Sequence, residues 1–408
     1  MNRRDLLKNM SALPVLGAFA GTAKLLPITE EAEGTAGAKD YFKDLGIRTF
    51  INAAGTYTFM TGSLMRPEVM TAINYASKEY VLLDELQDKV GERIAQLLKC
   101  EYATVTSGAA AAMTLGAAGV ITGMDEKKVA ALPFLEGTGM KSEVIMQKAH
   151  EIAYAHAMQN VGLKIIYIET REELEKAISD KTALMYFLNA NNFDGKIQVE
   201  EFLQIAQKHN IPTMIDCAAD VPPVENLWKY TGMGYDLVCF SGGKGIRGPQ
   251  SAGLLLGRKK YIQAARLSAP PRGNTIGRGL KVNKEEVLGM LVALETYLAT
   301  DHAKEWKMWE TQIKLISDAV TSVPGITTSV HVPPVANHIP TLHITWDPAK
   351  VPATAAQIRE TLRKGNPSIE VADGANQHTF NVTTWMLVPG QEKIVAAQLK
   401  KVFSETHG

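Results

Sequence analysis

Cysteine is scarce in this chain. Only Cys100, Cys217 and Cys239 occur among 408 residues. Three thiols cannot make a full disulfide framework, and none has metal-ligand spacing. Cys217 and Cys239 sit inside apolar runs and read as small buried hydrophobes. Net charge is also lacking: basic and acidic residues number 43 each. That balance removes the electrostatic footprint of a nucleic-acid binder. No apolar run approaches the roughly 20 residues of a membrane span. Repeats and low-complexity tracts are missing as well. What remains is an ordinary globular composition, 46% apolar and 21% charged. The length is enough for about two domains and a large core.

The N-terminus differs from the rest. "MNRRDLLKNMSALPVLGAFAG" carries Arg3 and Arg4, a polar hinge, and a short apolar stretch from Met10 to Ala20. Ala18-Phe19-Ala20 has the small-x-small pattern of a cleavage site. The segment resembles a twin-arginine export signal and predicts a periplasmic protein. The other reading is a cytoplasmic protein with an N-terminal helix. A polar, small-residue linker follows, so residues 1–38 stand outside the fold.

From residue 39 onward, short apolar runs alternate with amphipathic segments. "EYATVT", "SEVIMQ", "LKIIYIE", "TALMYFLN", "IPTMID", "YDLVCFS" and "SAGLLLG" predict buried strands. In "GKIQVEEFLQIAQKHNIP", Val199, Phe202, Leu203 and Ala206 recur at helical spacing. This alternation predicts an α/β fold with a mostly parallel sheet. We expect a large domain over 39–285 with an N-terminal arm. A long connecting helix region follows over 286–324, and a smaller α+β domain over 325–408.

Sites in open α/β sheets form outside the carboxyl ends of strands. After "YATVT" comes Ser107-Gly108-Ala109-Ala110, opening a helix whose free N–H groups favour an anion. A tight packing turn explains it equally well. After "IPTMI" comes Asp216, then "CAAD". A carboxylate buried there needs a cationic or protonated partner; a helix cap or ion pair is the plainer alternative. After "DLVCF" comes Ser241-Gly242-Gly243-Lys244-Gly245. A P-loop is excluded, because the earlier glycine is absent and Gly245 stands where Ser or Thr belongs. The GxGxxG order of a dinucleotide site is absent too. A lysine among residues without bulk can form a Schiff base, and burial lowers its pKa. Taken together, the three features describe a pyridoxal 5'-phosphate site: Lys244 linked to the cofactor, Asp216 on the pyridine nitrogen, and the helix start with Ser241 on the phosphate.

"FINAAGTYTFMTGSLMRPEV", "DELQDKVGERIAQLLKCEYATVTSGAAAA", "DCAADVPPVENL" and "DLVCFSGGKGIRGPQSAGLLLGRKKYI" resemble the selenocysteine-synthase-like pyridoxal-phosphate enzymes. That group includes the D-glucosaminate-6-phosphate ammonia-lyases and has the aspartate-aminotransferase-like fold, fold type I. The resemblance implies a seven-stranded-type sheet and a homodimer or higher homo-oligomer. It implies Lys244 and Asp216 as catalytic residues, and Ser107, Gly108, Ala109 and Ser241 as phosphate ligands. It places His150 where a ring stacks on the cofactor; a histidine on a helix face is the alternative. Asn191 or Asn192 would meet the ring hydroxyl. Arg272, Thr275 and Arg278, in "PPRGNTIGRGLKVNKEE", would reach a neighbouring subunit's site, Thr275 toward cofactor and the arginines toward substrate. The tRNA-handling N-terminal domain of selenocysteine synthase is absent, and the chain is neutral, so the expected partner is a small-molecule amine. The implied reaction begins with α-proton abstraction and proceeds by α,β-elimination of the ammonia-lyase type. Racemisation or epimerisation, transfer of the selenocysteine-synthase kind, and cofactor binding without catalysis are the alternatives.

Overall fold

A computed structural model describes residues 39–406. The export-signal expectation falls on residues outside that range. The chain divides at Thr49/Phe50 into two units. The described part of the first holds one short helix, Tyr41–Asp44, capped by the Asp40 side chain.

The second unit contains twelve strands among its described residues. In chain order they are β1 (Phe50–Ala53), β2 (Tyr102–Thr106), β3 (Glu143–Gln147), β4 (Lys164–Ile168), β5 (Thr182–Leu188), β6 (Thr213–Asp216), β7 (Leu237–Ser241), β8 (Gly253–Gly257), β9 (Ile326–His331), β10 (Thr341–Trp346), β11 (Ser368–Asp373) and β12 (Thr379–Thr383). Seven of them form one sheet in the order β2-β8-β7-β6-β5-β3-β4. β8 runs antiparallel to both its neighbours; the other pairs are parallel. Every apolar run quoted above is one of these seven.

The sheet is covered on both faces, as a parallel sheet must be. Along β5, Met185 and Phe187 enter one core while Leu184, Tyr186 and Leu188 enter the other. The first core is closed by helices that include Val199–Lys208, whose Val199, Phe202, Leu203, Ile205 and Ala206 are buried. The second holds Ala109–Thr122, a helix apolar on every side and buried almost throughout. A helix of that composition has no solvent face to offer and is stable only inside.

The smaller sheet corrects the expected domain limits. Its order is β1-β11-β12-β10-β9, and β1 pairs in parallel with β11, Phe50 opposite Ser368. The N-terminal arm therefore supplies an edge strand to the C-terminal domain, a long-range pairing that no local pattern signals. The connecting region is helical and is made of two helices. It breaks between Lys284–Leu298 and His302–Thr321, where the Asp301 side chain accepts from the Lys304 N–H. An aspartate at that position satisfies a free donor of the new helix and starts it afresh.

Candidate active site

Strand ends gather the chemistry. A cleft of about 370 Å³ opens at the carboxyl ends of the parallel strands. Gly108–Ala110 line it after β2, and Ile152 and Tyr154 after β3. Ala190 and Asn191 follow β5, Asp216 ends β6 with Ala218, Ala219 and Asp220 after it, and Ser241 ends β7 with Lys244 after it. Thr58 and Gln250 complete the rim, tied together by the Gln250 amide donating to the Thr58 carbonyl at 3.1 Å.

Asp216 ends β6 in full burial. Its Oδ1 accepts from the Ala218 N–H at 2.9 Å, and its Oδ2 from the Tyr186 hydroxyl at 3.2 Å. Burial raises its pKa, while those two donors and the charge on Lys244 oppose the rise. Lys244 moves the other way. Burial lowers its pKa, and the carboxylates of Asp216 and Asp220 partly restore it. A buried lysine with a lowered pKa holds more of its amine free for nucleophilic and base chemistry.

The glycines around Lys244 serve the backbone. A Cβ on Gly243 would stand 2.5 Å from Gln250 Cα, and one on Gly245 would stand 2.2 Å from the Val221 carbonyl oxygen. A Cβ on Gly242 would stand 2.8 Å from the Ala252 carbonyl oxygen. No side chain fits, because the lysine turn is pressed against the segment leading into β8 and the loop after β6. At Gly108 the reason is conformational. Its φ of 89° is one that residues with a Cβ rarely adopt, and it aims the first turn of Ala109–Thr122 at the cleft. The leading N–H groups of that helix have no acceptor within it.

Asn191 lines the cleft and donates to the Ala149 carbonyl at 3.0 Å. Asn192 points away and accepts from the Val199 N–H at 2.9 Å, holding the start of the helix at 199–208. The structure thus separates the two asparagines that the sequence left level.

His150 corrects an expectation. It is 0% exposed and does not line the cleft. Its Nδ1 accepts from the Leu188 N–H at 3.2 Å, and its ring meets Phe187 edge-on at 4.5 Å. Burial depresses its pKa to about 4, so it is a neutral, packed ring beneath the sheet end. The aromatic side chain after β3 that reaches the cleft is Tyr154.

Ser107 is half-buried beside the lining residues. Arg272 donates to Asp84 at 3.3 Å and to the Arg266 carbonyl at 3.1 Å. Thr275 is half-buried with an unpartnered hydroxyl, and Arg278 is exposed. None of these three lines the cleft of its own chain.

Sequence reasoning missed Asp220 and Asn189. Asn189 Nδ2 donates to Asp220 Oδ1 at 2.5 Å and to the Tyr230 hydroxyl at 2.7 Å. The signal was present in "CAAD", a second acid four positions after the first, but its direction of pointing was not.

The donor set fits pyridoxal 5'-phosphate. A buried lysine and a strand-end carboxylate share one cleft with a helix N-terminus and a serine hydroxyl, as the cofactor's aldehyde, ring nitrogen and phosphate require. Fold and site together define a protein of the fold type I, aspartate-aminotransferase-like pyridoxal-phosphate class. Comparison with known proteins agrees. The Aminotransferase class-V family profile matches residues 83–273. Within the class, the chain is similar to the D-glucosaminate-6-phosphate ammonia lyase of Salmonella typhimurium strain 14028s: 28% identical, over 88% of this chain and 97% of the relative. A solved structure of D-glucosaminate-6-phosphate ammonia-lyase superimposes with a TM-score of 0.79 at 26% identity, over 90% of this chain and 99% of that one. The L-seryl-tRNA(Sec) selenium transferase of Caldanaerobacter subterraneus subsp. tengcongensis is 27% identical over 72% of this chain and 68% of its own length.

Proposed function

We propose that this protein is a pyridoxal-phosphate-dependent lyase. On this reading it removes the α-proton of an amino acid or amino-sugar acid and eliminates a β-substituent, releasing ammonia and a keto acid. The observation that carries the reading is the meeting of Lys244 and Asp216, both withdrawn from water, in one cleft with the helix start at Gly108. Full-length similarity to an ammonia lyase selects elimination among the reactions open to such a site.

When bound, pyridoxal phosphate supplies an aldehyde carbon that condenses with amines and a ring that draws electrons from the α-bond. The residues here do the rest. N–H groups of the first helical turn and the Ser241 hydroxyl would hold the phosphate. Asp216, braced by Ala218 and Tyr186, would hold a proton on the pyridine nitrogen. The Lys244 amine would hold the cofactor's aldehyde carbon and would serve as the base that takes the α-proton. Asn191 offers an amide along one side of the cleft.

We further propose a homodimer or larger homo-oligomer, supported by the exposed run Tyr80-Val81-Leu82 with Tyr75 nearby. Arg272, Thr275 and Arg278 then serve a neighbouring copy's site. Export by the Arg3-Arg4 signal completes the proposal, and fractionation of cells expressing the full chain tests it. The catalytic reading is tested with a panel of amino acids and amino-sugar acids of both configurations. The panel is scored for α-hydrogen exchange in deuterated buffer and for keto-acid release. Elimination predicts both signals with one class of substrate; exchange without keto acid would make the protein a racemase or epimerase.

A further inference from the structure

The cleft holds a second carboxyl that the chemistry above does not use. Asp220 is 1% exposed. Unlike Asp216, whose two oxygens each accept a hydrogen bond, Asp220 is engaged on one side only. Its Oδ1 accepts from Asn189, the Ala336 N–H lies toward the carboxyl, and its Oδ2 makes no hydrogen bond of normal geometry. A buried acceptor left bare costs about 1–3 kcal/mol. A proton on Oδ2 lowers the cost of burial, since a neutral acid needs less solvation than a carboxylate, and it leaves an O–H free to donate to a bound group. The acid is held firmly. Asn189 also grips Tyr230, and the Asn226 amide donates to the Asp220 backbone carbonyl at 2.7 Å.

We infer that Asp220 is a catalytic acid, which delivers the Oδ2 proton to the oxygen leaving the β-carbon of a β-hydroxy amino acid. The inference rests on the lyase reading. In the step, Lys244 takes the α-proton, and the electron pair of that C–H bond becomes the second bond between the α- and β-carbons. The pair of the β-C–O bond leaves with oxygen, which binds the Asp220 proton and departs as water. Asp220 is left as carboxylate and Lys244 as ammonium, and a proton returns to Asp220 before the next turnover. The water released balances the one consumed when ammonia is later lost by hydrolysis. Overall, a β-hydroxy amine becomes a keto acid and ammonia with no outside oxidant or reductant.

The groups facing Asp220 are Asp216 and Cys217 at the end of β6, Lys244 after β7, Asn189 after β5, Tyr230 from the helix Asn226–Met233, and the Ala336 N–H from the segment before β10. Burial and the neighbouring Asp216 charge push its pKa up to about 7, while Asn189, Lys244 and Ala336 oppose. The carboxyl thus carries its proton through the acid half of the physiological range.

Two measurements test this. In the first, full-length holoenzyme and Asp220→Asn are given a β-hydroxy and a β-chloro amino acid, the chloride leaving without a proton. The expected result is an about hundredfold or larger loss of β-hydroxy elimination. α-Hydrogen exchange and β-chloro elimination should fall less than tenfold. Equal losses on both substrates would assign Asp220 a structural role and overturn the inference. The second needs no turnover. Infrared spectra of the apoprotein should show a protonated-carboxyl C=O band. That band should fade as pH rises through about 7, persist in Asp216→Asn with its fade moved to lower pH, and vanish in Asp220→Asn. If Asp220→Asn does not fold, ¹³C-aspartate labelling of the wild type and of Asp216→Asn decides the matter; no band in either overturns the inference. A wild type that exchanges no α-hydrogen would sink the lyase reading instead, and the infrared result would still stand on its own.

Discussion

Two buried polar niches lie under neighbouring strands of the large sheet, and they differ in one respect. Beneath β3 and β5, His150 is sealed: its Nδ1 has a backbone donor and its ring an aromatic neighbour. Across β6 and β7, Asp216 and Asp220 are buried and Lys244 is half-buried, and the group remains electrically unsettled. Asp220 keeps an orphan oxygen, and the charge of Lys244 bears on both carboxylates as theirs bears on it. Burial alone does not mark an active site. A satisfied buried group stabilises one state; an unsatisfied one is poised to bind something or to move a proton.

Four experiments press on that contrast. The largest effect is expected at Lys244. Lys244→Ala should abolish the visible absorption that bound cofactor gives the purified protein and lower turnover by at least about a thousandfold, because base and attachment point vanish together. His150→Leu should leave turnover within tenfold, measured on the same substrate; an equal collapse would erase the distinction between the niches.

Next comes the pH dependence of stability, followed by urea unfolding. His150 titrates at about 4 when folded against 6.5 when free. Its contribution is complete above pH 6.5 and is lost as pH falls toward 4, about 3 kcal/mol at the limit. Asp220 has the opposite sign. Its folded pKa is raised to about 7, so its contribution is greatest near pH 4 and fades as pH rises to 7. Hence His150→Leu should steepen the fall in stability from pH 4 to 7, and Asp220→Asn should reverse it.

A third effect concerns the lysine turn. Gly245→Ala places a Cβ 2.2 Å from the Val221 carbonyl oxygen. We expect about 1–3 kcal/mol of destabilisation from the forced shift. Cofactor affinity, read by absorbance titration, should weaken with it. The smallest effect separates the asparagines. Asn192→Ala should cost about 1 kcal/mol in unfolding, since it leaves the Val199 N–H unpaired. Asn191→Ala should spare stability and weaken cofactor binding instead.

Much of this molecule was legible in order of residues. The seven strands of the large sheet were written as short apolar runs, because strands covered on both faces carry no polar alternation. Lys244, Asp216 and the Gly108 turn declared themselves as strand-end residues of unusual type. Where reading failed, the cause was direction. His150 and Tyr154 both follow β3, and nothing in "KAHEIAY" says which ring turns to the cleft. Asn191 and Asn192 are adjacent and chemically identical.

The sequence by itself determined the class of fold, the strand ends where chemistry sits and the residues able to bind an aldehyde, a ring nitrogen and a phosphate. Those follow from period, composition and residue type, which are local. Only the tertiary structure decided that β1 joins β11, that the lysine's glycines are pressed against neighbouring backbone, that His150 is sealed and that Asp220 Oδ2 is bare. Each of these is a contact between segments far apart in the chain, or a choice of side-chain direction made by packing around it. Neither is encoded in any short window of residues.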